Sequence, residues 1–323
     1  MTKYALELNN LSKKYGDFTA VDDLSLQVKE GEIFGFLGPN GAGKSTTIRM
    51  LCTLALPTSG SAKIAGYDLS KDSGKVRENI GLVAEKLIMY DGLTAGQNLR
   101  FFGKLYGIPK KKLEKRIDEL LELIDMKKWK DTKINTFSTG MKQRINIIRA
   151  LLAEPKIIFM DEPTLGLDPQ TTFSVREIIR DINSKGVTVI LTTHAMVEAE
   201  ALSDRVAIID HGKIAALDTP ENLKKMLSDT DITIFKMEIT NLTVEMIENI
   251  KSLDVVTALS KQDEHNIKIS AKGPDSLEEI IDTIRFDGGK ISSIANINDA
   301  TLEDVFLTVT GKEIRDTPAA NSS

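Results

Sequence analysis

The run Ile33-Phe34-Gly35-Phe36-Leu37-Gly38-Pro39-Asn40-Gly41-Ala42-Gly43-Lys44-Ser45-Thr46 carries more architectural information than any other part of the chain. Ile33 to Leu37 is continuously apolar, as in a strand buried on both faces. It feeds a loop of the pattern G-x-x-x-x-G-K-[ST], after which Ile48, Leu51 and Cys52 share one face of a helix. Gly41 and Gly43 let backbone N–H groups turn inward toward a polyphosphate, and the helix N-terminus adds a partial positive charge. Lys44 is placed to reach the β- and γ-phosphates, and the Ser45 hydroxyl to ligate Mg²⁺. A dinucleotide loop would need neither residue.

Upstream, Leu24, Leu26 and Val28 alternate with polar residues before Glu30-Gly31. That pattern predicts a hairpin whose second strand is the apolar run at Ile33. Downstream, Leu113, Ile117, Leu120, Leu121 and Ile124 recur at helical spacing. Lys110, Lys111, Lys112, Lys115 and Arg116 are interleaved with Glu114, Asp118, Glu119 and Glu122, which reads as a solvated helix face. Trp129 is expected to pack. Between Lys156 and Asp210, apolar strand-like runs (Ile157 to Met160, Val187 to Leu191, Val206 to Ile209) alternate with helical stretches. One of these helices, Gln170 to Lys185, is expected to carry Phe173, Ile178, Ile179 and Ile182 on its apolar face. Such alternation predicts βαβ units and a parallel sheet. Asp210-His211-Gly212 reads as a hairpin turn.

The first apolar strand of that region ends in Asp161-Glu162. Two carboxylates closing a buried strand are costly unless they face a polar site. Beside a phosphate loop, Asp161 is placed to hold Mg²⁺ and Glu162 to polarise a water in line with the γ-phosphate.

The pattern changes near residue 226. From Asp231 to Gly311 the chain reads β-α-β-β-α-β-α, a small α+β module with its own core. Ser276 and Glu279 have the spacing of a capping box, and Thr301 opens a last helix whose apolar face is Leu302, Val305, Phe306 and Val309. His265 falls in a polar turn. Asp316 to Ser323 is a polar tail expected to be disordered.

Composition narrows the function classes. With 323 residues, 42 Lys+Arg and 47 Asp+Glu, the net charge is −5, which lacks the electrostatic footprint of a nucleic-acid binder. A single cysteine excludes an intrachain disulfide, and with three histidines makes a structural zinc site a poor fit. The N-terminus lacks the apolar core of a secretory signal, and no apolar run is long enough to span a bilayer, so the expected location is cytoplasmic.

The stretch from Leu11 to about Met226 resembles the ATP-binding subunit of ABC transporters. Gly38 to Thr46 matches the Walker A loop, so Gly38, Pro39, Asn40, Gly41, Ala42, Gly43, Lys44, Ser45 and Thr46 are candidate ATP contacts. Phe137-Ser138-Thr139-Gly140-Met141-Lys142-Gln143 matches the family signature, with Thr139 where glycine is usual. Asp161 and Glu162 match the Walker B Asp and catalytic Glu, Leu165 to Asp168 the D-loop, and His194 the switch histidine. Tyr15 falls at the aromatic that stacks on adenine.

The resemblance implies an α/β fold: a P-loop NTPase (RecA-like) core with an antiparallel β-subdomain and a helical subdomain at about 87–155, followed by a small C-terminal α+β domain. The expected domains are 1–226 and 227–315, with 316–323 as the tail. Catalysis would rest on Glu162, His194 and Lys44, and Mg²⁺ on Ser45, Asp161 and Glu85, the last standing where the family usually has glutamine. Ser138, Gly140 and Asp168 would contact ATP across a two-fold homodimer.

The C-terminal module, ending in Thr301-Leu302-Glu303-Asp304-Val305-Phe306-Leu307, resembles that of ABC-2-type drug, sodium or heme exporter ATPases. This implies a separate integral-membrane permease as partner, no nucleic acid, and a place on the inner face of the cell membrane. Part of the apolar stretch Leu87 to Tyr90 is expected to be exposed and to grip that permease. The rival reading is a soluble ABC ATPase acting on a ribosome or DNA.

Overall fold

The computed structural model describes residues 3–228, 232–273, 275–297 and 300–310. The chain divides into two compact units, Met1–Ile214 and Ala215–Ser323. The boundary therefore falls earlier than the position after Met226 expected from sequence. The expected disordered tail at 316–323 lies outside the described residues.

The first unit begins with β1 (Tyr4–Tyr15), β2 (Phe18–Lys29) and β3 (Ile33–Leu37), then α1 (Lys44–Leu51), β4 (Ser59–Ile64), β5 (Tyr67–Asp68), α2 (Ser73–Asn79) and β6 (Ile80–Val83). Helices α3 (Ala95–Leu105), α4 (Lys110–Leu123) and α5 (Thr139–Ala150) follow. The chain then runs through β7 (Ile157–Asp161), α6 (Pro169–Ser184), β8 (Thr188–Thr193), α7 (Met196–Leu202), β9 (Arg205–Asp210) and β10 (Lys213–Asp218), in which the unit boundary falls.

Two sheets result. One is four-stranded, in the order β2-β1-β4-β5, with β1 antiparallel to both β2 and β4. The other is six-stranded, in the order β10-β9-β3-β8-β7-β6, with β3, β8, β7, β6 and β9 running parallel. The expected hairpin between β2 and β3 does not form. β2 spends its backbone hydrogen bonds on β1, and the chain changes sheets at Glu30-Gly31, where Gly31 has φ 76°. The reading of β3 as buried on both faces holds, because it lies between β9 and β8 with all five residues buried.

The core of this unit joins sheet residues such as Ile158 and Met160 to Leu99, Leu113, Ile117, Ile145 and Ile148 of the helices. The basic cluster on α4 is a solvated face, with Lys112 paired to Glu154, Lys115 to Glu119 and Arg116 to Glu119. On α6, Phe173 is 63% exposed and Val175 takes its expected place on the buried face. Trp129 packs edge-on against Phe137 yet stays partly exposed. The turn at His211 and Gly212 has positive φ at both residues, as a tight hairpin requires.

The second unit contains α8 (Pro220–Ser228), β11 (Ile232–Thr240), α9 (Val244–Lys251), β12 (Val256–Lys261), β13 (Asn266–Lys272), α10 (Ser276–Phe286), β14 (Lys290–Ile297) and α11 (Leu302–Thr310). From β11 onward this is the expected order, folded as one sheet, β12-β13-β11-β14. Met237, Ile239, Ile267 and Ile269 form its core with Met246, Ile250, Ile280 and Ile284. The Ser276–Glu279 capping box is absent. Asp275 occupies the N-cap position, and the Ser276 hydroxyl donates instead to the Gly273 carbonyl at 2.9 Å. His265 is exposed, as expected.

Candidate functional site

Three strand ends of the parallel sheet deliver the site: β3 leads into the glycine loop, β7 ends at Asp161, and β8 ends at Thr193 beside His194. Strands β7 and β8 are direct neighbours, with Asp161 opposite Thr192. Ligands of open α/β sheets bind at this carboxyl edge.

The loop can take no side chains where it turns. Gly43 has φ 104°, and a Cβ on Gly38 would stand 2.2 Å from the Ile209 carbonyl oxygen. Lys44 is 5% exposed. Its ammonium donates to the carbonyls of Gly38 at 2.7 Å and Pro39 at 3.2 Å, and lies 3.4 Å from Glu162 Oε1. Burial pulls the Lys44 pKa below its ordinary value, against the opposing pull of Glu162, Asp161 and Glu85. Ser45 Oγ donates to Asp161 Oδ1 at 3.0 Å, and Thr192 Oγ1 donates to the same oxygen at 2.6 Å. His194 Nδ1 lies 2.9 Å from Glu162 Oε2.

Glu162 has φ 48°, a left-handed conformation that costs a side-chain-bearing residue free energy and is worth reading functionally. Its N–H is held by Thr192, 3.0 Å from Oγ1 and 3.2 Å from the carbonyl oxygen. The structure thus joins Lys44, Ser45, Asp161, Glu162 and His194, all expected, and adds Thr192, whose hydroxyl orients Asp161. The sequence reading does not single out Thr192. A polar residue closing a buried strand was the available signal.

The remaining candidates take other positions. Ser138 is the N-cap of α5, its Oγ accepting from Met141 N at 3.2 Å. Gly140 sits against Thr171, where a Cβ would come within 2.3 Å of Thr171 Cγ2. Asp168 caps α6, accepting from Thr171 N at 2.9 Å and Thr171 Oγ1 at 2.6 Å, and these bonds hold its carboxyl below the ordinary range. The signature and the D-loop are therefore neighbours. Tyr15 is half exposed with Lys13 Nζ 4.8 Å from its ring centroid, leaving ring surface open to solvent. Glu85 is exposed and reaches Lys44 as a charge through space. Gln97 is spent in a capping box with Thr94 and is not a displaced counterpart of Glu85.

Buried strand ends, a phosphate loop and paired acids define a P-loop nucleotide-binding protein. The ABC transporter family model matches residues 21–165. The linearmycin resistance ATP-binding protein LnrL of Bacillus subtilis is 38% identical over 96% of this chain and 100% of its own length. The doxorubicin resistance ATP-binding protein DrrA of Mycobacterium tuberculosis is 35% identical over 95% and 93%. Among solved structures, an ATP-binding subunit of an ABC transporter matches with TM-score 0.63 and 32% identity, covering 69% of this chain and 93% of that one. A dimeric ATP-binding cassette in a post-hydrolysis state, bound to ADP and phosphate, matches with TM-score 0.59 and 28% identity, over 66% and 98%. The chain belongs to the ABC transporter ATP-binding family: it is an ATP-binding ATPase.

Proposed function

We propose that this ATPase powers a drug exporter of the ABC-2 type by driving a separate membrane permease. The relatives named for linearmycin and doxorubicin resistance support that direction over the ribosome- or DNA-directed alternative. The relatives are named as ATP-binding proteins, which fits a permease supplied as a second polypeptide and this chain peripheral on the inner face of the cell membrane. Among the described residues no helix is long and apolar enough to cross a membrane. Ile88 is 55% and Tyr90 49% exposed, and Tyr90 packs edge-on against Phe101, itself 37% exposed, which gives apolar surface suited to gripping the permease.

Phosphoryl transfer to water needs positioning and charge stabilisation. The loop N–H groups and Lys44 would cradle the β- and γ-phosphates. Ser45 and Asp161 would hold Mg²⁺, with Glu85 the third candidate. Two hard oxygen ligands in direct contact, with no cluster of three acidic, Cys or His ligands among the described residues, suit an ion that completes its shell with phosphate oxygens and water. When bound, the ion supplies neutralisation of charge on the phosphate oxygens. Glu162 would accept the proton of the attacking water, and His194 would orient Glu162. Each chain carries one phosphate loop and one signature, so Ser138, Gly140 and Asp168 would complete the site across a homodimer.

The observation that carries this reading is the contact set on Glu162, with Lys44 at 3.4 Å from one oxygen and His194 at 2.9 Å from the other. Glu162→Gln should keep ATP binding and lose about 10²–10⁴-fold in turnover. Lys44→Ala should lose nucleotide affinity instead. Undiminished turnover in Glu162→Gln would refute the role given to Glu162.

A further inference from the structure

The Glu162-Pro163-Thr164 turn is held from two sides by groups outside the site described above. From α5, Gln143 Nε2 donates to the Pro163 carbonyl at 2.7 Å in a buried bond. From α7, Glu198 takes the other side. It is 1% exposed, yet its Oε1 accepts from Thr164 Oγ1 at 2.6 Å. A carboxylate withdrawn this far from water is expensive to maintain. Burial pushes its carboxyl above the ordinary range, and bonds from Thr164 and Thr193, with the charge of Arg176, pull the other way. Thr193 directly precedes His194. One buried side chain thus touches the turn that follows Glu162 and the segment that leads into His194.

We propose that Glu198 is a positioning residue that fixes the Glu162–Thr164 turn and the Thr193–His194 segment relative to each other. The proposal rests on the roles given to Glu162 and His194. The geometry supplies the reason. Glu162 sits at φ 48°, a conformation that persists only where its surroundings over-determine it. Its N–H is tied to Thr192, and the turn beyond it is tied to Glu198 and Gln143. Without the Thr164–Glu198 bond the turn is free to relax and carry the Glu162 carboxylate off line. ATP would still be held by the loop and Lys44, which Glu198 does not touch.

The test is steady-state ATPase of the purified full chain, read as separate kcat and KM. Glu198→Ala should lower kcat about 10- to 100-fold while KM for ATP moves less than about threefold, the cost of misplacing a reacting group by roughly an ångström. Glu198→Gln should stay within about threefold of the parent, because its amide oxygen still accepts from Thr164. Thr164→Val, which removes the donor at constant shape, should reproduce Glu198→Ala, and the double variant should be no slower than either single one. A parent-like kcat in Glu198→Ala, losses that multiply in the double variant, or Glu198→Gln as slow as Glu198→Ala would each overturn the proposal. Should Glu198→Ala fail to fold, Thr164→Val and Glu198→Gln carry the same decision. Glu162→Gln is measured beside them. If it stays active, the reading of Glu162 falls and this proposal with it. If it is inactive while Glu198→Ala is fully active, this proposal alone falls.

Discussion

Asp304→Ala should loosen helix α11. Asp304 is 1% exposed. Its Oδ2 accepts from Thr301 N at 2.8 Å, Thr301 Oγ1 at 2.7 Å and Lys268 Nζ at 2.8 Å. Lys268 Nζ also lies 2.6 Å from Oδ1, within ion-pair range. Lys268 comes from β13 with its side chain 12% exposed, so the pair ties helix to sheet inside the second unit. Breaking a buried pair by deleting one partner costs about 3–5 kcal/mol, because the other charge is left desolvated. Lost bonds at the helix start add about 1 kcal/mol. Amide hydrogen exchange over Leu302–Thr310 should then accelerate by roughly three to four orders of magnitude, at about 1.4 kcal/mol per tenfold. Amides of α5 in the first unit should be unchanged. Lys268→Met combined with Asp304→Leu should recover most of the protection, since apolar replacement of a buried pair is often neutral, and exposed Thr301 can turn to water. Unchanged protection in Asp304→Ala, or a double variant worse than the single one, would show that the pair does not anchor the helix.

Three further outcomes follow from the first unit. Tyr15→Ala should weaken nucleotide binding by about 1–3 kcal/mol in a titration, and Tyr15→Phe should be nearly silent; equal losses would replace stacking by a role for the hydroxyl. Glu85→Gln should keep or raise ATPase by removing a negative charge felt at Lys44, and collapse of turnover would mean that the carboxylate itself is needed at Mg²⁺. Cys52 is buried, and desolvation raises its thiol pKa well above the ordinary value, so native protein should resist iodoacetamide at pH 8 and react fully only in denaturant.

What could be read in the sequence was whatever local chain chemistry dictates. A glycine loop with Lys44 and Ser45 between an apolar run and a helix can do little else, and the run at Ile33 is indeed the central strand of the parallel sheet. The order of elements in the second unit was legible for the same reason, since each turn announces itself. Pairing was not legible. Nothing local in Leu24 to Leu37 tells β2 to bond with β1 and β3 with β9 and β8, because sheet partners are chosen by distant burial. The capping reading at Ser276 failed similarly: Asp275, one residue earlier, took the cap position, and the Ser276 hydroxyl turned to Gly273. Asn146, Thr192 and Glu198 are not legible as functional residues because each is an ordinary polar residue in a helix or strand until folding buries it, and Gln143 is legible only as the last residue of the signature. Asn146 is 0% exposed and donates to the carbonyl of Ala84, directly before Glu85, at 3.3 Å, and to Gln143 at 3.4 Å. Gln143 in turn holds Pro163, directly after Glu162. The motif residues state which chemistry the fold performs. The buried amides and carboxylate behind them connect the Glu85 segment, the signature helix and the Glu162 turn through consecutive hydrogen bonds. A shift of any one of the three must therefore be accommodated by the others or break a buried bond, at about 1–3 kcal/mol for each group left unsatisfied.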